Sequence, residues 1–288
     1  MRIAVVGAGR VGTAVAVLLA RRGHEVVAVS GRSETEARVR SWLPGVPFVP
    51  APEAAALGEV VFLAVPDDAL GTIVSVLGAA GTVASGAWAV HLSGAAGLDV
   101  LTPLTRGGAR RLAIHPLQTF PRVEAAIEAL PGCRIAVTAD DEEGVEVGER
   151  LARDVGGVPF RLRDERRALY HAAAVFASNY LVATSAVAER LFAIAGVPDP
   201  LGAMAPLQEA TLTNVTKLGP EAALTGPAVR GDATTVERNL SALADDAPET
   251  VAAYVAMCRV ALDVAVRSGR LDPPGVAAVE AVLERWDR

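Results

Sequence analysis

The chain has 288 residues and a net charge of −6, with 51% hydrophobic and 21% charged residues. This composition excludes a disordered chain, and the length predicts two globular domains. The acidic balance argues against a nucleic-acid partner, which requires a basic surface. Only two cysteines occur, Cys133 and Cys258, so a disulfide framework is excluded and we expect reduced thiols in a cytoplasmic protein.

No membrane partner is expected either. Residues 69–90 carry no charge, but four glycines divide them, which predicts a helix, a turn and a buried strand. Because the first predicted strand follows Met1 directly, we expect no targeting segment.

The N-terminal part of the chain alternates between short apolar runs and helical patterns. The alternation is typical of a doubly wound α/β domain, which we place at residues 1–163. Strands are predicted at residues 2–6, 25–30, 59–65, 88–92, 111–115, 133–138 and 159–162, and helices at 11–22, 68–77 and 140–155.

The pattern becomes helical from Asp164 onward. We interpret residues 164–288 as an all-α domain that binds substrate and forms a dimer contact. Helices are predicted at residues 165–195, 201–218, 233–243, 248–269 and 273–286.

A glycine motif follows the first strand. Gly7, Gly9 and Gly12 fit G-x-G-x-x-G between a strand and a helix, the context in which this motif binds a dinucleotide. Gly7 would allow the tight turn, Gly9 the approach of the diphosphate, and Gly12 the packing of helix on strand. Arg10 and Val11 lie in the first turn of the helix, whose free N–H groups would face the phosphates.

The end of the second strand predicts which dinucleotide binds. An acidic residue there usually holds the ribose of NAD, whereas this chain has Ser30, Arg32 and Ser33. A guanidinium group and two hydroxyls favour a 2′-phosphate, so we predict NADP(H) as the cofactor. Glu34 and Glu36 follow closely and leave NAD(H) as the alternative.

Two further loops follow strands and are expected to flank the nicotinamide half of the cofactor. One contains Val65, Pro66 and Asp67, which we assign to the cofactor. The other contains Ser93, which we assign to the substrate.

A polar cluster lies in the first helix of the second domain. His171 and Asn179 are spaced so that one α-helical face would carry both, among alanines that leave room for a ligand. A histidine suits a proton donor. The alternative is a core histidine and asparagine that bond to nearby backbone.

His115 is a second candidate proton donor, and Gln118 close behind it is a candidate substrate ligand. Arg230 could hold a substrate carboxylate, or could instead pair with Asp232 and stabilise a turn. The histidines lack ligand spacing, so we predict no metal.

Taken together, several motifs resemble a bacterial family with a Rossmann-like domain followed by a C-terminal domain of unknown function. They are GAGRVG, SGRS, AVPDD, HLSG, HPLQTF, YHAAAVFASNY and ALTGPAVRGD. The family is distantly similar to ketopantoate reductase, the β-hydroxyacid dehydrogenases and pyrroline-5-carboxylate reductase. The resemblance implies a helical domain of the 6-phosphogluconate dehydrogenase C-terminal type and a homodimer formed through it. In the first two relatives the corresponding helix carries a lysine where His171 stands here.

These observations lead to one main hypothesis, an NADPH-dependent oxidoreductase that reduces the carbonyl of a small 2-oxo acid similar to ketopantoate. His171 or His115 would donate the proton, and Asn179, Ser93, Gln118 and Arg230 would position the substrate. The alternatives are an imine reductase of the pyrroline-5-carboxylate type and a non-catalytic NADP(H)-binding sensor, because fold alone does not give function.

Overall fold

The computed structural model describes residues 1–287. These residues form two compact units, one from Met1 to Asn179 and one that begins at Tyr180.

The first unit contains a seven-stranded sheet in the order β2-β1-β3-β4-β5-β6-β7. All neighbouring pairs are parallel except β5 and β6, which are antiparallel. The strands are β1 (Arg2–Val6), β2 (Glu25–Ser30), β3 (Val60–Leu63), β4 (Trp88–His91), β5 (Arg110–Pro116), β6 (Arg134–Ala139) and β7 (Val158–Arg161).

Helices cover both faces of this sheet, which is why its central strands are apolar along their whole length. Every residue of β3 and β4 is buried, as expected for parallel strands between two helical layers. The helices of this unit are α1 (Arg10–Arg21), α2 (Ser33–Trp42), α3 (Ala51–Leu57), α4 (Asp67–Ala80), α5 (Thr102–Thr105), α6 (Val123–Ala129), α7 (Glu142–Asp154) and α8 (Arg167–Ala174).

This architecture confirms the predicted doubly wound domain, and each predicted strand is present with its ends shifted by at most two residues. Four helices of the first unit, α2, α3, α5 and α6, were not predicted from the sequence. Helices α3 and α6 have only seven residues each, too few for a clear helical period. Helix α2 is polar, with only Val39 buried.

The predicted helix at residues 165–195 is present but not uniform. A 3₁₀ turn (Asp164–Arg166) precedes α8, and a π-helical segment (Val175–Asn179) follows it before α9 (Tyr180–Ile194) begins. The expectation that His171 and Asn179 share one α-helical face was therefore based on the wrong geometry. A π segment changes the spacing of side chains and is frequent at functional sites.

The second unit is helical throughout the part that the structure describes. Its core is formed by the last three helices, whose inward positions include Val236, Leu240, Leu262 and Leu283. The helices are α9, α10 (Pro200–Leu218), α11 (Pro220–Ala223), α12 (Ala233–Asp246), α13 (Val251–Arg267) and α14 (Pro273–Trp286). This confirms a helical region after the α/β domain.

None of the helices in residues 1–287 is long and apolar enough to cross a membrane.

Candidate active site

A cleft of about 940 Å³ lies at the carboxyl ends of the parallel strands in the first unit. Strand β1 has β2 on one side and β3 on the other, so the connections leave it in opposite directions. Ligands of open α/β sheets bind at such a switch point. All the residues that line this cleft belong to the first unit.

The glycine loop forms one wall of the cleft, and its three glycines have different surroundings. Gly7 has a φ of +103°, and a Cβ there would lie 2.6 Å from the carbonyl carbon of Ala64. A Cβ on Gly12 would lie 2.3 Å from the Gly7 carbonyl oxygen. A Cβ on Gly9 would meet nothing within 4 Å. Gly7 and Gly12 therefore permit close packing, whereas Gly9 borders open space that a ligand can occupy.

Helix α1 begins in this wall and presents unpaired N–H groups. The first backbone amide that bonds back into the helix is that of Thr13, which donates to the Gly9 carbonyl at 3.1 Å. The amides of Arg10 to Gly12 precede it and have no intrahelical acceptor. The helix has no side-chain cap and no acidic residue in its first turn. This end of α1 therefore fits a diphosphate, which is anionic and rich in acceptors.

The carboxyl end of β2 forms the adjacent wall. Ser30 is buried there, and its carbonyl accepts hydrogen bonds from the amides of Gly7 and Ala8 at 2.9 and 2.8 Å. The Arg32 side chain is 80% exposed and its guanidinium lies 3.3 Å from the Glu34 carboxylate. Exposed ion pairs are weak, so a phosphate can replace this partner. Ser33 is exposed at the start of α2.

The same wall contains an arginine that sequence reasoning missed. Arg38 on α2 lines the cleft and donates from Nη2 to the Ala8 carbonyl at 3.3 Å. Arg38 was overlooked because α2 was not predicted. A helix assigned directly after β2 would have placed Arg38 beside the glycine loop.

His115 lies in the opposite wall, at the carboxyl end of β5. Its Nδ1 is 2.8 Å from the hydroxyl of Tyr170, and the two rings meet edge to face. Burial, with smaller contributions from the positive charges of Arg167 and His171, lowers the pKa of His115 to about 4. Burial raises the pKa of Tyr170 to about 12. At neutral pH the pair is therefore a neutral imidazole and a neutral phenol.

His171 lies behind His115 and is not among the residues that line the cleft. The two ring centroids are 6.4 Å apart. Gly94 packs between them: a Cβ there would lie 2.7 Å from Nδ1 of His171 and 2.8 Å from Nε2 of His115. Nδ1 of His171 is buried and has no hydrogen-bond partner within the described chain.

A third histidine completes this cluster and was not proposed from the sequence as a site residue. His91, at the end of β4, is fully buried. Burial and then the charge of Arg167 lower its pKa to about 3, so it is neutral. Neither ring nitrogen has a well-aligned partner among residues 1–287, although the backbone of Gly97 is near enough to raise the pKa in part.

Arg167 fixes the loop that follows β4. Its guanidinium donates to the carbonyls of Ser93 and Ala96, the latter at 2.5 Å, and to the Thr138 hydroxyl at 3.0 Å. Asp164, one turn earlier, accepts from the Leu98 amide at 3.0 Å. Sequence reasoning missed Arg167 because an arginine among Arg163 and Arg166 resembles a solvated charge.

The remaining predicted residues fall in different places. Residues Val65, Pro66, Asp67, Ser93 and Gln118 all line the cleft. The Ser93 hydroxyl accepts hydrogen bonds from the amides of Ala95 and Ala96, and the side-chain oxygen Oε1 of Gln118 accepts one from the Thr119 amide.

Asn179 and Arg230 do not line the cleft. Asn179 is exposed at the end of the π-helical segment. Arg230 is exposed in a 3₁₀ turn of the second unit. Asp232, its suggested ion-pair partner, caps α12 by accepting from the Thr235 amide at 3.0 Å. Across residues 1–287, no group of three His, Cys, Asp or Glu side chains is placed to hold a metal ion.

Two family models match the chain. Residues 1–116 match a Rossmann-like domain, and residues 133–261 match a domain of unknown function, DUF2520. No match is found among curated proteins.

Solved structures share this fold over nearly the whole chain. A protein of Bacteroides fragilis, described provisionally as an NADP oxidoreductase, is 23% identical with a TM-score of 0.74, over 91% of this chain and 98% of that one. A Thermotoga maritima protein is 26% identical with a TM-score of 0.70, over 93% and 100%. An imine reductase from Pseudomonas sp. is 19% identical with a TM-score of 0.65, over 98% and 99%.

Proposed function

We propose that this chain, which joins a Rossmann-like domain to a domain of unknown function, is an NADP(H)-dependent oxidoreductase that reduces the carbonyl of a small 2-oxo acid. One observation carries the proposal: His115, which is hydrogen-bonded to Tyr170, lies in the wall of the same cleft as the glycine loop and the uncapped start of α1. A dinucleotide site and a proton source are thereby brought to one edge of the sheet.

The cofactor assignment rests on the residues that line the cleft. Open space at Gly9 and the free amides of α1 fit the diphosphate. Arg32 and Ser30 at the end of β2 fit the phosphate that distinguishes NADP from NAD. The B. fragilis protein, described as an NADP oxidoreductase, supports the same choice.

The proton for the substrate oxygen is assigned to His115. The bound reduced nicotinamide would supply a hydride to the carbonyl carbon. Because the His115 ring is neutral at pH 7, Tyr170 can donate its O–H to Nδ1 and leave the ring proton on Nε2. Nε2 then donates that proton to the carbonyl oxygen while Nδ1 takes up the Tyr170 proton. His171, behind Gly94, supports the ring, and Ser93 and Gln118 are assigned to substrate positioning. Asn179 does not line the cleft, and its role in catalysis or positioning stays a prediction.

An imine reductase is the second candidate. It is favoured by similar solved structures of imine reductases and of a reductive aminase from Aspergillus terreus, one of them in complex with cyclohexanone and allyl amine. An iminium substrate already carries its proton, so Tyr170 and His115 would be dispensable for its reduction. The effect of removing His115 therefore separates the two candidates.

The region from residue 164 onward is assigned to substrate binding and to a homodimer contact in a cytoplasmic protein. Large apolar side chains are exposed along α9 and α10 of the second unit, and such a surface favours burial against a second copy. They are Leu181, Val182, Val187, Ile194, Leu201, Leu207, Leu212, Val215 and Leu218. Light scattering on the purified protein tests for a dimer. The role of Arg230 as a carboxylate ligand stays a prediction.

Fluorescence titration with NADPH and NADH tests the cofactor assignment. Wild type should bind NADPH at least tenfold more tightly, and Arg32→Ala should remove most of that preference because a charged hydrogen bond contributes about 1.5–3 kcal/mol. Arg40→Ala is the matched control, because Arg40 is an exposed arginine of α2 that pairs with Glu36 away from the cleft lining. Absence of binding by both nucleotides would exclude the enzyme and the sensor alike.

Turnover of a panel of 2-oxo acids and cyclic imines tests the reaction. His115→Asn should lower the rate of NADPH oxidation with 2-oxo acids by a factor of about 10²–10⁴ and leave NADPH affinity unchanged. If wild type binds NADPH tightly but oxidises it with none of the compounds in the panel, the result would support the sensor instead.

A further inference from the structure

The charge of Arg167 is almost completely removed from water. The residue is 1% exposed, and all three hydrogen-bond acceptors of its guanidinium are neutral, being the Ser93 and Ala96 carbonyls and the Thr138 hydroxyl. Buried arginines are normally paired with carboxylates, because an unpaired buried charge is costly.

No carboxylate compensates this charge at close range. Among residues 1–287, no acidic oxygen lies within 4.0 Å of the Arg167 guanidinium. Asp164 and Asp67 act on it only at longer range. Asp164 is already engaged by the Leu98 amide, and Asp67 is exposed to water at the start of α4. The positive charge of Arg167 is therefore offset only in part, by carboxylates that do not contact its guanidinium.

The field of this charge reaches the nicotinamide end of the cleft. Ser93, whose carbonyl Arg167 holds, lines the cleft, and so does His115. The positive charge contributes to the lowered pKa values of both His115 and His91. The other titratable groups around His115 are Tyr170 and His171 on α8 and His91 on β4, and none of them is an anion at neutral pH.

We propose that Arg167 is a specificity residue that selects substrates by charge: its buried guanidinium favours small 2-oxo carboxylates over neutral carbonyl compounds and cationic iminium ions. The proposal rests on the proposed function and adds to it the residue that sets substrate charge. Arg167 does not contact the substrate and acts through space. At a separation of several ångströms, in the effective dielectric of a protein site, one charge changes affinity for an anion on the order of tenfold.

Binding of two unreactive probes to the protein–NADPH complex tests this proposal. Oxamate is an unreactive analogue of a 2-oxo acid, with an amide next to its carboxylate. Oxamide has a second amide in place of that carboxylate and is neutral. Wild type should bind oxamate at least tenfold more tightly than oxamide. Arg167→Met should remove that preference by weakening oxamate alone, whereas Arg167→Lys, which keeps the charge, should retain it.

A second readout separates charge from structure. In ¹⁵N NMR titrations of the holo protein, Arg167→Met should raise the pKa of His115 and Arg167→Lys should not, because only the first variant removes the neighbouring positive charge. A purely structural role would make both variants alike. Should Arg167→Met not fold, Arg167→Gln takes its place, because glutamine keeps a hydrogen-bond donor and removes the charge.

The outcomes distinguish a failure of charge selection by Arg167 from a failure of the proposed function. If wild type binds NADPH but shows no preference for oxamate, or binds neither probe, charge selection is wrong and the cofactor assignment survives. If NADPH itself does not bind, the proposed function is wrong. Retention of the oxamate preference by a folded Arg167→Met variant would also overturn the role of Arg167.

Discussion

Gly94 shows how a single missing side chain can shape the site. The imidazoles of His115 and His171 approach its Cα so closely that a Cβ would lie within 2.8 Å of a nitrogen of each ring. Contacts shorter than 3.0 Å at a Cβ require a neighbour to move. Its backbone needs no left-handed conformation, so the requirement for glycine at this position comes from space alone.

We therefore expect Gly94→Ala to displace His115 and disrupt its hydrogen bond with Tyr170. NADPH affinity should stay within about threefold of wild type, because residue 94 is remote from the glycine loop along the sheet edge. Turnover of an accepted substrate should fall by about 10², the cost of misplacing a catalytic group by roughly 1 Å. Stopped-flow NADPH oxidation measures the effect.

Gly71→Ala is the matched control. Gly71 lies in α4, and a Cβ there would meet nothing within 4 Å. That variant should keep full activity and gain stability of about 0.5–1 kcal/mol from the lower entropy of the unfolded chain. Equal activity of the two alanine variants would contradict the packing argument at Gly94.

At the residue scale, a sequence shows which side chains can do chemistry more clearly than it shows which side chains are buried. His115 and the cleft-lining glycines were identified because their residue types follow predicted strands. His91 and Arg167 were missed because a sequence does not show which polar side chains the packing removes from water. Their burial is created by packing between β4, β6 and α8, which lie far apart along the chain.

At the scale of elements, helix α7 approaches the sheet closely because two of its glycines, Gly144 and Gly148, face the strands. A Cβ on Gly148 would lie 2.5 Å from Cγ1 of Val137 and 2.9 Å from Cδ1 of Leu112. Both partners are core residues of β6 and β5 that cannot move freely.

Gly148→Ala should therefore lower the free energy of unfolding by about 1–3 kcal/mol, the usual cost of overpacking, despite the higher helix propensity of alanine. Urea denaturation measures the change. Glu146→Ala, at an exposed position of the same helix, should stay within about 0.5 kcal/mol of wild type. A stabilised Gly148→Ala variant would show that α7 shifts away from the sheet at no cost.

The predictability of each element followed the strength of its local signal. The strands were predicted because each is a short apolar run that stops at a polar residue, glycine or proline. Helix α7 was predicted from its acidic first turn. Helices α2, α3 and α6 lack a periodic apolar face of sufficient length. The π-helical segment between α8 and α9 depends on backbone bonding that the sequence does not encode locally.

At the scale of the whole molecule, the change from mixed α/β to helical structure follows Arg161, where the last strand ends. The compact unit nevertheless continues to Asn179. The reason lies in α8: Arg167 and Tyr170 bond to residues at the sheet edge and tie this helix to the first unit. Composition can indicate where strands cease, but it does not show which unit a helix joins.

The three clustered histidines also couple the site to the stability of the fold. His91 and His115 have native pKa values of about 3 and about 4, against 6.5 for an ordinary histidine. Above pH 6.5 both are neutral in the folded and unfolded states, and stability does not depend on them. As the pH falls below 6.5, the unfolded chain takes up protons that the native protein refuses, so stability decreases.

We expect the free energy of unfolding to be flat between pH 8 and 7 and to fall by about 2 kcal/mol for each of these two histidines at pH 5. Ordinary carboxylates still bear their charge over most of this window, so the loss belongs chiefly to the imidazoles. Urea denaturation at pH 8, 7, 6 and 5 measures it. His91→Phe removes one titrating group, and the fall between pH 7 and 5 should then be about half as large. An unchanged pH slope in a folded His91→Phe protein would mean that native His91 takes up its proton as readily as the unfolded chain does. The lowered pKa of His91, which has the same cause as that of His115, would then have to be abandoned.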